Sequence, residues 1–130
     1  MLQKCENYCK AVDRLSEALT ELAATPTSTV IRDGVIQRFE FTFELAWKSL
    51  REYLGDQGFD LNNIVFSKQV FKAAYAAQII HDEQVWLDML SSRNVTSHVY
   101  DDEQAAQVVS AIRDRYIGTL TALAAFYREG

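Results

Sequence analysis

A chain of 130 residues, 48% of them hydrophobic and 24% charged, has material for one domain with a single sizeable core. Its formal net charge of −5 opposes loose, phosphate-driven binding to nucleic acid, although it leaves room for one locally basic pocket. No stretch approaches the ~20 apolar residues that cross a bilayer, and the amino-terminal Met1 to Glu6 is too polar for a signal peptide, so a cytoplasmic protein without membrane contact is expected.

Strand-like alternation is nearly absent, while long segments repeat apolar residues every third or fourth position. The expectation is a single all-α domain over residues 1–130. It would be an up-and-down antiparallel helical bundle of four main helices and one short helix. The first helix is expected from about residue 2 to 24, with Leu2, Cys5, Cys9, Val12, Leu15, Leu19 and Leu22 as its apolar stripe. Pro26 disfavours helix at Thr25, and the hydroxyls of Thr27, Ser28 and Thr29 can cap the next helix. The second helix is expected over about 29 to 54, carrying Ile36, Phe39, Phe43, Ala46, Trp47, Leu50 and Leu54. Val35, Phe41, Leu45 and Tyr53 widen its apolar surface beyond one face, which calls for a central position or a subunit interface. On its polar side Glu44 and Lys48 attract at i,i+4, whereas Glu40 and Glu44 repel at the same spacing. Gly55 is expected to end it.

Phe59, Leu61, Ile64 and Val65 would anchor a connection, with Ser67 capping a short helix that carries Val70, Phe71, Ala74 and Tyr75. Asp82 would cap a fourth helix, on which Trp86, Met89, Leu90 and Arg93 lie close to one face. His81 stands among polar linker residues and reads as solvated. Asp101 and Gln104 form a capping-box pattern that opens the last helix. Its stripe is Ala105, Val108, Val109, Ile112, Tyr116, Leu120, Leu123 and Tyr127, and Arg113, Asp114 and Arg115 read as a solvated patch. Gly118, costly inside a helix, suggests a backbone passing close by. Cys5 and Cys9 stand one helical turn apart and read as buried free thiols. Two cysteines and two distant histidines make no zinc framework, and neither metal nor cofactor is expected.

The chemistry concentrates between Arg93 and Tyr100. A guanidinium fork suits phosphate oxygens, and an imidazole exchanges protons near neutral pH. A phenol offers a nucleophilic or hydrogen-bonding hydroxyl. Arg93, His98 and Tyr100 are therefore candidates for handling a nucleotide phosphate, and Asn94 shares a face with His98 wherever the helix continues. The plain alternative is a helix end at which Arg93 pairs with an Asp, His98 caps carbonyls and Tyr100 packs its ring.

Three segments carry a resemblance: Gln37 to Lys48, Trp86 to Leu90, and Arg93-Asn94 through His98-Val99-Tyr100-Asp101. In this order and spacing the chain closely resembles the nucleotidyltransferase substrate-binding protein family, within the HEPN helical superfamily. The resemblance implies a dimerising helical bundle encoded beside a minimal nucleotidyltransferase. This chain would be the substrate-binding or partner subunit, without nucleotidyl-transfer chemistry of its own. It also implies an alternative. Many HEPN relatives are metal-independent ribonuclease toxins in toxin–antitoxin pairs, using the Arg and His of this motif, here Arg93 and His98. In related pairs the partner enzyme adenylylates the motif Tyr, here Tyr100. A nucleotide or RNA is then the expected ligand. A homodimer through the second and fourth helices would bring two Arg93–His98 sites near each other.

Overall fold

The computed structural model describes residues 1–96 and 101–129. The helices are α1 (Gln3–Ala24), α2 (Thr29–Asp56), α3 (Ser67–Ala76), α4 (Glu83–Thr96), α5 (Asp102–Ala111) and α6 (Ile117–Glu129). A five-residue π-helical turn, Ile112–Tyr116, joins α5 to α6 in one continuous rod, and a short 3-10 turn, Leu61–Asn63, lies between α2 and α3. No strand occurs among the described residues. The architecture is the all-α bundle expected, with α3 as the short helix beside four long members.

Side-chain pairings give the directions. α1 and α2 are antiparallel, since Cys5 meets Ser49, Thr42 meets Ala11 and Arg38 meets Arg14. α4 runs antiparallel to α2, with Arg93 beside Glu44 and Thr96 beside Glu40. The α5–α6 rod lies parallel to α2 across the bundle, tied by Arg32–Asp102 at one end and Ser49–Tyr127 at the other. α2 is thus packed on several sides, which accounts for Val35, Leu45 and Tyr53 outside its main stripe. Phe41 is the exception, 63% exposed.

A run of rings links the layers. Trp86 of α4 stacks on Phe71 of α3 at 5.0 Å, and Phe71 meets Phe43 of α2 at 5.6 Å. Phe39 then stacks on Tyr116 of the π turn at 5.6 Å. The Tyr116 hydroxyl reaches Ser92 Oγ at 2.7 Å and donates to the Asp88 carbonyl, so the π turn is bonded to α4. On the far side Tyr8 is fully buried and donates to the Leu120 carbonyl at 2.6 Å, satisfying its one polar atom inside the core. Cys5 and Cys9 are buried free thiols in the same region.

Several local expectations are corrected. α2 runs past Gly55, and the left-handed residue that turns the chain is Gly58, at φ 97°. Gly55 is instead a close-approach site, because a Cβ there would stand 2.8 Å from Leu61 Cδ1. Ser67 is the first residue of α3 rather than its cap. Gln69 Oε1 accepts from the backbone N–H groups of Val65 and Phe66, which ties the preceding segment to the first turn of the helix. In the connection only Ile64 is buried and Leu61 half-buried, whereas Phe59 and Val65 are exposed, as is Tyr75 on α3. The connection is held by Arg51, which donates to the carbonyls of Ile64 and Leu61. Nothing lies within 4 Å of a Cβ built on Gly118, so no neighbouring backbone explains that glycine. Arg115 is not merely solvated: it pairs with Asp88 of α4 at 2.6 Å. The Asp101–Gln104 capping box is present as expected, and Ser28 caps α2.

Candidate functional site

The last turn of α4 lies over the polar side of α2, and there two acidic residues that should repel are reconciled. Glu40 and Glu44 stand one turn apart on α2, and the Arg93 guanidinium enters between them. Its Nη1 is 3.1 Å from Glu40 Oε2, and its Nε is 3.7 Å from Glu44 Oε1. Thr96, buried on the same helix, places its hydroxyl 3.0 Å from Glu40 Oε2 and 3.0 Å from the Arg93 carbonyl. Glu44 also accepts from Trp47 Nε1 at 3.1 Å and faces Lys48 Nζ at 3.9 Å. Two carboxylates and two cations therefore balance locally.

Burial makes this cluster more than a surface pair. Side-chain exposure is 27% for Arg93 and 25% for Glu40. Partly covered charges are screened less than fully exposed ones, and the guanidinium is held in direction between the two carboxylates. Arg93 Nε is buried and has no hydrogen-bond partner among the described residues, since the Glu44 oxygen is too distant. A guanidinium has five N–H donors, so donor capacity remains beside the ion pair with Glu40. Phosphate and carboxylate oxygens are the ligands such a fork matches.

Beside the guanidinium is a cavity of about 360 Å³, walled by Trp47, Phe66, Leu90 and Phe43 and bordered by Glu44, Arg93 and Asn94. Phe66 is 70% exposed, an aromatic face turned to solvent at the cavity wall. Phe43 belongs also to the run of core rings, so the cavity floor is part of the rigid interior. The described residues contain no cluster of three His, Cys, Asp or Glu arranged to hold a metal ion.

Of the four candidate residues, Arg93 and Asn94 border this cavity. His98 and Tyr100 lie outside the described residues. Arg93 pairs with glutamates of α2, not with an Asp at its own helix end. His81 is exposed, as its surroundings suggested. Sequence reasoning did not assign Glu40, Glu44 and Thr96 as partners of Arg93, nor Trp47 and Phe66 as walls. The Glu40–Glu44 spacing was the available signal: two like charges one turn apart are best retained where a cation sits between them.

Residues 3–129 match the family described as "Nucleotidyltransferase substrate binding protein like". The chain belongs to that family. Among relatives of known sequence, it is 34% identical over 83 residues to a Haemophilus influenzae protein described as "Probable ribonuclease HepT". That alignment takes in 62% of this chain and 57% of the relative, so the chain spans little more than half the length of that curated protein. Among solved structures, HI0074 of Haemophilus influenzae, described as a substrate binding domain of a nucleotidyltransferase, superposes with a TM-score of 0.84. It is 24% identical, over 95% of this chain and 98% of that one, and shows the shared fold. A Thermus thermophilus protein superposes with a TM-score of 0.70 at 29% identity, over 88% of this chain and 98% of its own. No described helix is long and apolar enough to cross a membrane.

Proposed function

We propose that this chain is the substrate-binding partner subunit of a nucleotidyltransferase, and that Arg93, Asn94, His98 and Tyr100 form the place where a nucleotide phosphate is received. Family membership supplies the class. The observation that supports the site is the direction of Arg93: it is drawn inward by α2 carboxylates, beside an aromatic-walled cavity, instead of extending into water. A guanidinium fixed before binding loses little freedom when phosphate arrives, and Trp47 and Phe66 offer rings to a base. Glu40 and Glu44 also disfavour a bare polyanion at Arg93, which suits a nucleotide delivered by a partner enzyme better than a long phosphate backbone. Tyr100 is the proposed acceptor of the nucleotidyl group.

The test is incubation of the chain with the nucleotidyltransferase encoded beside it, ATP and magnesium, with intact-mass measurement of the product. A nucleotide-sized mass gain on the wild type, lost in Tyr100→Phe, is the expected outcome. A gain that persists in Tyr100→Phe removes Tyr100 as the acceptor, and no gain leaves the plain binding subunit.

The HepT likeness supports a second reading, a metal-independent ribonuclease neutralised by its nucleotidyltransferase. His98 would take the ribose 2′-hydroxyl proton or protonate the leaving oxygen, and Arg93 would steady the charged phosphorane. Growth arrest on expression without the neighbour, abolished by His98→Ala, favours this reading. Unimpaired growth favours the binding subunit.

A further inference from the structure

A second concave site lies between α1 and α2, where the chain's charge balance is locally reversed. It measures about 550 Å³ and is open to solvent. Lys10 and Arg14 line it from α1, Arg38 and Phe41 from α2, and the amides of Asn7 and Gln37 stand between them. No carboxylate lines it, although the chain has 18 acidic residues against 13 basic ones.

Two features separate this cleft from an ordinary solvated face. Arg14 forms no ion pair with any described residue, and Arg38 spends Nη1 on the Arg14 carbonyl at 2.7 Å rather than on an acid. Most other arginines of the chain have found an acidic partner: Arg32, Arg93, Arg113, Arg115 and Arg128 are all paired. Lys10 has only a solvent-exposed contact with Glu6 at 3.6 Å, which is weak and easily exchanged. The second feature is Phe41, a large ring left 63% exposed beside these cations. The floor, by contrast, is rigid. Thr42 is fully buried and its hydroxyl donates to the Arg38 carbonyl at 2.7 Å.

Unpaired guanidiniums select phosphate oxygens, and an exposed ring beside them selects a flat base. Asn7 and Gln37 can each donate to and accept from a base edge or a sugar. The cavity volume falls in the usual range for small-molecule sites, roughly 300–1,000 Å³. The cleft is also separate from the Arg93 site, because the two sets of α2 residues centre roughly 120° apart around a helix of ~3.6 residues per turn.

We propose that the α1–α2 cleft is a nucleotide-unit binding site, with a base stacked on Phe41 and its phosphate held by Arg14, Arg38 and Lys10. The unit can be a free nucleotide or one residue of a single strand, and the two sources are distinguished by direct measurement. Fluorescence anisotropy of the purified full-length chain is read with two probes, a labelled ten-residue oligoadenylate and a labelled ATP. Arg14→Gln tests the phosphate contact without removing any described ion pair, and Phe41→Ala tests the stack. Thermal melting of each variant verifies folding. Phe41→Ala is expected to weaken whichever probe binds by about fivefold or more, the lower end for loss of one base–aromatic stack. Arg14→Gln is expected to weaken it and to flatten the salt dependence by about one phosphate contact. Tight binding of the oligomer alone assigns the cleft to single strands, and equal binding of both probes assigns it to the mononucleotide. The proposal is overturned if neither probe binds, or if folded Phe41→Ala and Arg14→Gln variants bind as the wild type does. It is equally overturned if Phe41→Ala dissociates a dimer in sedimentation and neither probe binds the wild type, because Phe41 is then a subunit contact.

Discussion

At the scale of single residues, the chemistry rests on how Arg93 is compensated. Its removal leaves Glu40 and Glu44 facing each other, partly buried and one turn apart. Arg93→Gln is therefore expected to lower stability by about 1–3 kcal/mol, measured by chemical denaturation. Adding Glu40→Gln should restore part of that loss, because the second change removes the repulsion the first exposed. Strict additivity in this cycle would show that the three groups do not act as a cluster. A second residue-scale effect concerns alkali. Burial pushes the Cys5 thiol up to about 11, with the Tyr127 hydrogen bond acting against it, and burial also raises Tyr8 and Tyr127. Each group holds its proton more tightly folded than unfolded; the two tyrosines keep theirs to still higher pH, and the Cys5 contribution is complete below the ordinary thiol value of 9.0. It is lost as pH rises through about 11. The melting temperature should be level near neutral pH and fall steadily above it in this window. Cys5→Ser should make that fall shallower.

Among the helices, periodicity carried most of the information. The stripe of the last rod, from Ala105 to Tyr127, is buried as its spacing required, and so are the main positions of α2 except Trp47, which is half-buried. What spacing could not show was the third dimension of polar contacts. The Glu40–Glu44 pair is legible as a conflict on one helix, yet its resolution comes from a residue more than forty positions away. Likewise Ser67 has the chemistry of a cap, but it is the first residue of α3, and Gln69, two residues later, reaches back to the N–H groups of Val65 and Phe66. At Gly118 the sequence suggests a packing glycine, and the open space around it decides otherwise. Gly118→Ala should therefore stabilise the protein by up to ~1 kcal/mol, the usual helix-propensity difference, seen as a higher denaturation midpoint. Destabilisation would mean that an assembly partner occupies that space.

For the whole molecule, the bundle was legible because five helical patterns with short connections leave few ways to cover their apolar faces. Of the candidate site, the cationic half was legible and is placed at a cavity, while His98 and Tyr100 fall outside the described residues. α2 needed several neighbours, and the fold supplies them largely within one chain. The homodimer is a proposal resting on exposed apolar residues near the end of α4, among them Val65, Phe66 and Val95. Sedimentation of the wild type at micromolar concentration should give a dimer, and Phe66→Glu should shift it to monomer by placing charge in the contact. A monomeric wild type removes the shared-cleft ribonuclease reading and leaves the partner-subunit reading standing.

The π turn at Ile112–Tyr116 bears on which changes in chain length the protein can survive. A π turn holds one residue more than an α turn, and here its outer residues Arg113, Asp114 and Arg115 are exposed. Shortening the chain by one exposed residue at Arg113 lets the turn relax to ordinary α geometry. Leu120, Leu123 and Tyr127 then still face the interior. The same loss at Gln107, inside regular helix, leaves the segment from Val108 to Ile112 rotated by about 100° ahead of the π turn and takes its buried side chains out of the core. A pair of deletion variants, one at each position, should therefore differ sharply: the first melts as a cooperative helical protein, the second does not. The last rod contains a built-in slack of one residue, placed where the chain's length can vary without disturbing the packing on either side.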